Sequence, residues 1–202
     1  AREHLQALRL RNPTLAVQLY EAEAMLLRDA DRHRDAMAVY NQALQELPGN
    51  RDLLYGRALT AEKVGRIDIL ERDLRAILAE NPDDAHALNA LGYTLADVTD
   101  RYREALNYIE RALELAPEDP SILDSMGWVQ YRLGNHAKAL EYLERAHAKV
   151  KDPEIAAHYG ELLWVTGSRE RARAVWNGAL EQDPDHATLR DTVERFLGRV
   201  PE

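Results

Sequence analysis

The feature that most constrains the fold of this 202-residue chain is a recurrence with a period of about 34 residues. Four prolines mark it, at spacings of 34, 35 and 67 residues: Pro48, Pro82, Pro117 and Pro184. The last interval holds two units, whose shared boundary is Asp152-Pro153. We therefore predict one continuous array over 1–202, with a partial repeat at 1–16, a C-terminal capping helix at 187–202, and five repeats at 17–50, 51–84, 85–119, 120–152 and 153–186.

The repeat at 120–152 shows what one unit folds into. Leu123, Met126 and Gly127 share one helical stripe, and Gly134-Asn135 breaks the chain. A second stripe follows at i, i+4 and i+7, formed by Ala139, Leu143 and Ala146. The pattern predicts a helical hairpin with one apolar face on each helix, and hence an all-α fold.

Small residues recur in phase through the other repeats. The position that lets two helices approach holds Ala24, Ala58, Gly92, Gly127 and Gly160 in turn. The second helix repeats an alanine at Ala36, Ala105, Ala139 and Ala172. A helix-turn-helix of about 34 residues with these positions resembles the tetratricopeptide repeat, and the resemblance implies a right-handed α-solenoid.

Two repeats depart from this pattern. In repeat 51–84, Leu70 replaces the alanine and Ile77 replaces the later small residue, which predicts either more widely spaced helices or a register slip of one residue. Repeat 85–119 has one extra residue near Thr99, which we expect to lengthen its turn.

Composition narrows the functional classes. The chain has 26 Lys and Arg against 35 Asp and Glu, a formal charge of −9, so no basic field attracts nucleic acid. It has no cysteine and no apolar run long enough to span a bilayer. The seven histidines lack metal-ligand spacing, and no phosphate-binding loop or nucleophile motif occurs. We predict a protein that is not an enzyme, has no cofactor and binds neither nucleic acid nor membrane through these residues.

The resemblance also implies where a partner binds. In tetratricopeptide arrays, the first helix of each repeat lines a concave groove. The matching positions predict a protein-binding site made of Tyr55, Asn89, Tyr93, Asp97, Asp124, Ser125, Trp128, Tyr131, Arg132, His158, Glu161 and Trp164. These side chains predict an aromatic and acidic groove. Only Asn89 fits the carboxylate clamp that some arrays use, and the acidic side chains instead favour a basic or neutral extended segment.

The aromatic rings have two interpretations. Large rings at Trp128, Tyr131 and Trp164 could anchor a partner, or each could turn inward and pack against the next repeat. As anchors, Trp128→Ala and Tyr131→Ala would weaken binding without unfolding the array, whereas a large fall in melting temperature would identify core residues. Trp176 occupies a core position of a second helix and is assigned to packing.

A closer resemblance rests on runs such as Leu-Gly-Tyr-Thr-Leu-Ala-Asp from Leu91 and Ile-Leu-Asp-Ser-Met-Gly-Trp from Ile122. Over 85–197 the chain resembles the C-terminal region of proteobacterial tetratricopeptide lipoproteins, among them an adaptor of a periplasmic carboxyl-terminal processing protease. The resemblance implies an adaptor that binds and activates this protease toward cell-wall hydrolases. It also implies a longer, periplasmic protein held at the outer membrane by a lipid anchor.

A structural role is the alternative. The chain opens without a helix cap, as expected for part of a longer protein, and Leu5, Leu8, Leu19 and Tyr20 form a candidate apolar patch there. Self-association through this patch would make the chain a segment that mediates oligomerisation or assembly of an envelope complex.

Overall fold

The computed structural model describes residues 12–198, and within this range it contains eleven α-helices and no strand. The all-α prediction is therefore confirmed. A 3-10 turn at Pro13–Leu15 precedes the helices, which are α1 (Ala16–Asp29), α2 (His33–Glu46), α3 (Arg51–Lys63), α4 (Ile67–Glu80), α5 (Ala85–Val98), α6 (Tyr102–Leu115), α7 (Pro120–Arg132), α8 (His136–Lys149), α9 (Pro153–Val165), α10 (Arg169–Leu180) and α11 (Ala187–Leu197).

Side-chain caps start several first helices. Asp119 Oδ1 accepts hydrogen bonds from the backbone N–H groups of Ser121 and Ile122 at 2.9 and 3.1 Å. Asp152 caps α9 in the same way, and a proline follows each aspartate as the first helical residue. Proline is favourable there because its missing N–H would have had no helical acceptor. Helices α7 and α9 thus begin at Pro120 and Pro153, the first residues of two predicted repeats.

Three-residue turns join the two helices of each pair, and glycine supports three of them. Gly65, Gly134 and Gly167 have φ of 70°, 81° and 92°, a left-handed conformation that other residues rarely adopt. The turn after α5 is also three residues long, at 99–101, so the predicted lengthening is wrong. The extra residue extends α5 to 14 residues, whereas α7 and α9 have 13. Thr99 supports this turn, since its Oγ1 accepts a hydrogen bond from the Arg101 N–H.

The backbone forms two compact units, residues Ala1–Leu91 and Gly92–Glu202, and each is described by itself. In the first, α1 packs on α2, α2 on α3, and α3 on α4. Its core includes Tyr20, Ala24, Tyr40 and Leu53, all at most 3% exposed. Leu70 and Ile77 are buried at the predicted positions of α4, so no register slip occurs there. A single array over 1–202 stays a prediction.

In the second unit, α7 packs on α8 and α9 on α10, while α9 also contacts α7 and α11. Glycines permit the close approach within each pair. A Cβ at Gly127 would lie 2.5 Å from Leu143, and one at Gly160 would lie 2.1 Å from the buried Trp176 indole. Trp176 is completely buried, which confirms its assignment to packing.

The last helix, α11, covers the end of this core. Leu189 and Val193 are fully buried, while Arg190, Asp191 and Glu194 are exposed. As predicted, α11 has one buried apolar face and one exposed polar face. Its apolar face covers a surface of the last repeat that would otherwise be exposed.

The predicted apolar patch at the start of the chain is only partly within the described residues. Leu5 and Leu8 lie outside them, and Leu19 is half-buried. Tyr20 is 1% exposed and its hydroxyl donates a hydrogen bond to Glu46 at 2.6 Å, so its inclusion in a contact patch is wrong. Over the described range, each helix is too short or too polar to cross a membrane.

Candidate protein-interaction surface

Ten of the twelve predicted binding residues lie in the second unit, on α5, α7 and α9, and the other two lie in the first. Tyr55 is half-buried beneath the Arg51 guanidinium, whose Cζ is 4.8 Å from the ring centroid. Asn89 is half-buried, and its Oδ1 is buried without a hydrogen-bond partner. These two residues are therefore described apart from the rest.

Among the predicted binding residues of the second unit, Asp124 on α7 and His158 on α9 form a buried ion pair. His158 Nδ1 lies 2.9 and 3.1 Å from the two carboxylate oxygens of Asp124. Both residues are at most 6% exposed. Because an ionised carboxylate can only accept hydrogen bonds, Nδ1 carries a proton and donates to Asp124.

The charge on His158 depends on two opposing effects. Burial lowers its pKa, but the charge and hydrogen bond of Asp124, together with the charges of Glu154 and Asp97, raise the pKa from 6.5 to about 9. His158 is therefore an imidazolium at neutral pH, buried against carboxylates on α5, α7 and α9.

Trp128 packs directly on this imidazolium. The two rings are stacked with centroids 4.2 Å apart and an interplanar angle of 21°. The indole Nε1 donates a hydrogen bond to Asp97 Oδ1 at 3.1 Å, and the residue is only 7% exposed. Of the two predicted interpretations, the structure therefore supports inward packing for Trp128, because a cation and a carboxylate satisfy its ring and its N–H.

A second pair continues the network toward α11. Tyr131 donates a hydrogen bond from its hydroxyl to Glu161 Oε1 at 3.2 Å, and Arg195 binds the other oxygen, Oε2. Glu161 is 6% exposed. Burial, with the charge and hydrogen bond of Glu161, raises the pKa of the Tyr131 hydroxyl, which stays protonated and remains the donor. Tyr131 itself is half-buried.

The remaining predicted residues of α5 and α7 differ in accessibility. Arg132 is half-buried and donates hydrogen bonds to the Asp97 carbonyl and the Tyr102 hydroxyl, at 3.0 and 2.7 Å. Tyr93 is half-buried, and its hydroxyl donates to Glu154 at 3.2 Å. Ser125 is 3% exposed and its hydroxyl bonds back to the Ser121 carbonyl, so it presents no free group.

These bonds change the predicted character of the groove. Asp97, Asp124 and Glu161 each have an internal donor, which is Trp128, His158 and Arg195 respectively. The cations His158 and Arg195 reduce the field of Asp124 and Glu161, whereas the Trp128 indole that bonds Asp97 is neutral. The preference of the groove for a basic or neutral segment stays a prediction, and the charges of Asp124 and Glu161 contribute less to it because they are paired internally. We name Asp97, Asp124, Trp128, His158 and Glu161 the framework cluster.

Trp164, the last predicted residue, has different surroundings. It is half-buried at the end of α9, with its ring 5.8 Å from Trp176 and 6.1 Å from Phe196. Two arginines of α10 approach the same ring, with Arg169 Cζ at 5.2 Å and Arg173 Cζ at 5.5 Å from its centroid. Both arginines are exposed. The sequence analysis missed them because it considered only first helices, although their spacing of four residues places them on one helix face.

Within residues 12–198, no group of three or more His, Asp and Glu side chains is arranged to hold a metal ion. The site therefore consists of a buried framework cluster and a partly exposed aromatic and cationic patch. Such an arrangement can hold a surface rigid and offer rings and guanidinium groups to another protein.

Comparison with known proteins places this geometry in context. Residues 83–152 match the tetratricopeptide repeat family. The chain is 45% identical over 198 residues to a TPR repeat-containing protein of Pseudomonas aeruginosa, which covers 98% of this chain. The chain spans about a third of the length of that relative, namely 34%.

Two solved structures show the same fold. A thermophilic TPR protein of Thermus thermophilus superposes with a TM-score of 0.79 and 26% identity, covering 90% of this chain and 98% of that one. A widely conserved type IV pilus biogenesis factor superposes with a TM-score of 0.71 at 20% identity, covering 91% and 87%. The fold is thus that of tetratricopeptide-repeat solenoids, a scaffold type that generally binds proteins or peptides.

Proposed function

Because this chain carries tetratricopeptide repeats, we propose that it is an adaptor that binds and activates a periplasmic carboxyl-terminal processing protease toward cell-wall hydrolases. The corresponding location is the periplasm, at the outer membrane, through a lipid anchor in a longer protein. In this proposal the adaptor binds other proteins and does not itself catalyse a reaction.

One structural observation carries the adaptor role. The framework cluster ties α5, α7, α9 and α11 together by bonds between residues about one repeat apart, such as Trp128 with Asp97 and Glu161 with Arg195. A surface fixed in this way loses little conformational entropy when a partner binds. Preorganisation of this kind suits a scaffold, and a catalytic role would instead need an accessible reactive group.

Sequence supports the choice of partner. The runs from Leu91 and Ile122, which resemble the adaptor lipoproteins, include Asp97, Asp124 and Trp128. These residues belong to the framework cluster. The residues on which the resemblance rests are thus also the residues that hold the surface rigid.

Reconstitution tests the proposal. Purified protease and a purified cell-wall hydrolase are mixed with increasing amounts of this chain, and the cleavage rate is measured by the loss of intact hydrolase. We expect the rate to rise and then saturate as the chain is added, because a bound adaptor acts stoichiometrically. Protease with its nucleophile replaced serves as the control for contaminating activity. A rate that does not change with the added chain would contradict the proposal.

A further inference from the structure

Some arginines of the second unit form salt bridges and others do not. Arg195 pairs with Glu161, and Arg171 pairs with Glu144 at 3.0 Å. Arg169 and Arg173, by contrast, have no carboxylate within salt-bridge distance among residues 12–198, and their contact is with the Trp164 ring. These two guanidinium groups lie one helical turn apart on α10, in a chain with a net charge of −9.

This juxtaposition has an electrostatic consequence. Like charges four residues apart on a helix repel each other, and within the described residues no carboxylate forms a salt bridge with either arginine. The face of the Trp164 ring is occupied by both cations, which leaves the guanidinium N–H groups available to acceptors. A carboxylate placed between the two arginines would accept charge-assisted hydrogen bonds from both.

Two further apolar side chains are relevant. Val165, which follows Trp164 in the chain, is 42% exposed, and Phe196 is half-buried beside the Trp164 ring. An apolar side chain that flanks the carboxylate can therefore cover Trp164 and Val165. We name Trp164, Val165, Arg169 and Arg173 the arginine–tryptophan patch.

We infer that the arginine–tryptophan patch binds an acidic segment of a partner protein in which Asp or Glu side chains flank an apolar residue. The ligand chemistry follows from charge complementarity, because the unpaired side chains of the patch are cationic while the carboxylates of the framework cluster are already bonded. Two arginines are too few for nucleic acid, whose binding depends on neutralising many phosphates. This inference deepens the proposed function and rests on it only for the identity of the partner.

Binding of defined peptides tests the chemistry. The probe is a labelled ten-residue peptide with blocked termini, carrying Glu-Leu-Glu at the centre of a Gly-Ser background, and binding is followed by fluorescence anisotropy. We expect saturable binding that weakens from about 0.05 to 0.5 M salt, because exposed charges are screened. The Gln-Leu-Gln counterpart should bind at least about tenfold more weakly, since each lost ionic contact costs on that order.

Matched variants locate the site. Arg169→Gln with Arg173→Gln should weaken binding of the Glu-Leu-Glu peptide by about tenfold or more. Arg171→Gln, on the same helix but paired with Glu144, should leave it unchanged. All three side chains are exposed, so the variants are expected to fold, which circular dichroism checks.

Three outcomes would overturn the inference. These are equal binding of the acidic and glutamine peptides, an unchanged affinity in the double variant, or binding of these arginines to anionic phospholipid vesicles while the peptide fails to bind. The reconstitution assay tests the proposed function independently of peptide binding. If the peptide binds but the protease is not activated, only the adaptor proposal is contradicted. If the protease is activated but the peptide does not bind, only this inference is contradicted.

Discussion

Asp124→Ala is expected to lower the free energy of unfolding of the second unit by about 3 to 5 kcal/mol, because it leaves the buried His158 without its carboxylate. The pair is buried between α7 and α9, so water cannot replace the lost partner. Urea denaturation at pH 6.5, followed by circular dichroism, measures the change. Glu141→Ala, at an exposed position on α8, is the control and should shift stability by less than about 0.5 kcal/mol.

The pH dependence of stability checks the cause of this loss. The pKa of His158 is raised in the folded chain from 6.5 to about 9, so the ion pair stabilises the fold fully below about pH 6.5. This stabilisation, about 3 kcal/mol, decreases as the pH rises toward 9 and is lost above it. In Asp124→Ala the decrease between pH 6.5 and 9 should disappear. A wild-type stability that stays constant over this range would show that His158 is not charged in the folded state.

Trp128→Ala is expected to destabilise the second unit by about 3 to 5 kcal/mol, the usual cost of removing a buried tryptophan. The indole is 7% exposed, stacks on His158 and donates to Asp97, so its removal leaves a cavity and an unpaired carboxylate. The midpoint of urea unfolding measures the loss. This expectation replaces the sequence-based one, in which the substitution affects binding and leaves the fold intact.

Trp164→Ala is the matched comparison, because Trp164 is half-buried and its ring faces two exposed arginines. It should destabilise the chain less than Trp128→Ala. If Trp128→Ala left the unfolding midpoint unchanged, the indole would be a surface anchor, as the first interpretation of the sequence held.

Much of the fold could be predicted because the signals are local. The small residue at Gly127, opposite Leu143, and the capping aspartate before Pro120 depend on neighbours within one hairpin. The turn of the third repeat could not be predicted in the same way. An extra residue can enter a helix or a turn, and the choice made here depends on the Thr99 side chain, which supports a turn without glycine.

The accessibility of the candidate site residues could not be predicted. They lie on first helices, yet they contact first-helix residues of the next repeat, as Asp124 contacts His158 across 34 residues and Tyr131 contacts Glu161 across 30. A periodicity argument treats each helix alone and therefore leaves these side chains free. Aligning the repeats for complementary charges about one period apart would have identified the pairs.

The patch on α10 was missed for a related reason. Arg169 and Arg173 carry no motif, and arginines on a helix surface are usually solvated or paired. They form a candidate binding site because the Trp164 ring lies against both and because neither has a carboxylate partner among residues 12–198. The sequence of one helix predicts neither fact.

The central proposal is that this chain binds the protease through the arginine–tryptophan patch, and site-specific photo-crosslinking tests it most directly. A photoreactive amino acid is placed at Val165, which is 42% exposed beside Trp164, or at Val150, which is 39% exposed outside the patch. Each purified chain is irradiated with the purified protease and its hydrolase substrate. The account predicts a covalent adduct from Val165 and little or none from Val150. No adduct from Val165, or equal adducts from both positions, would contradict it.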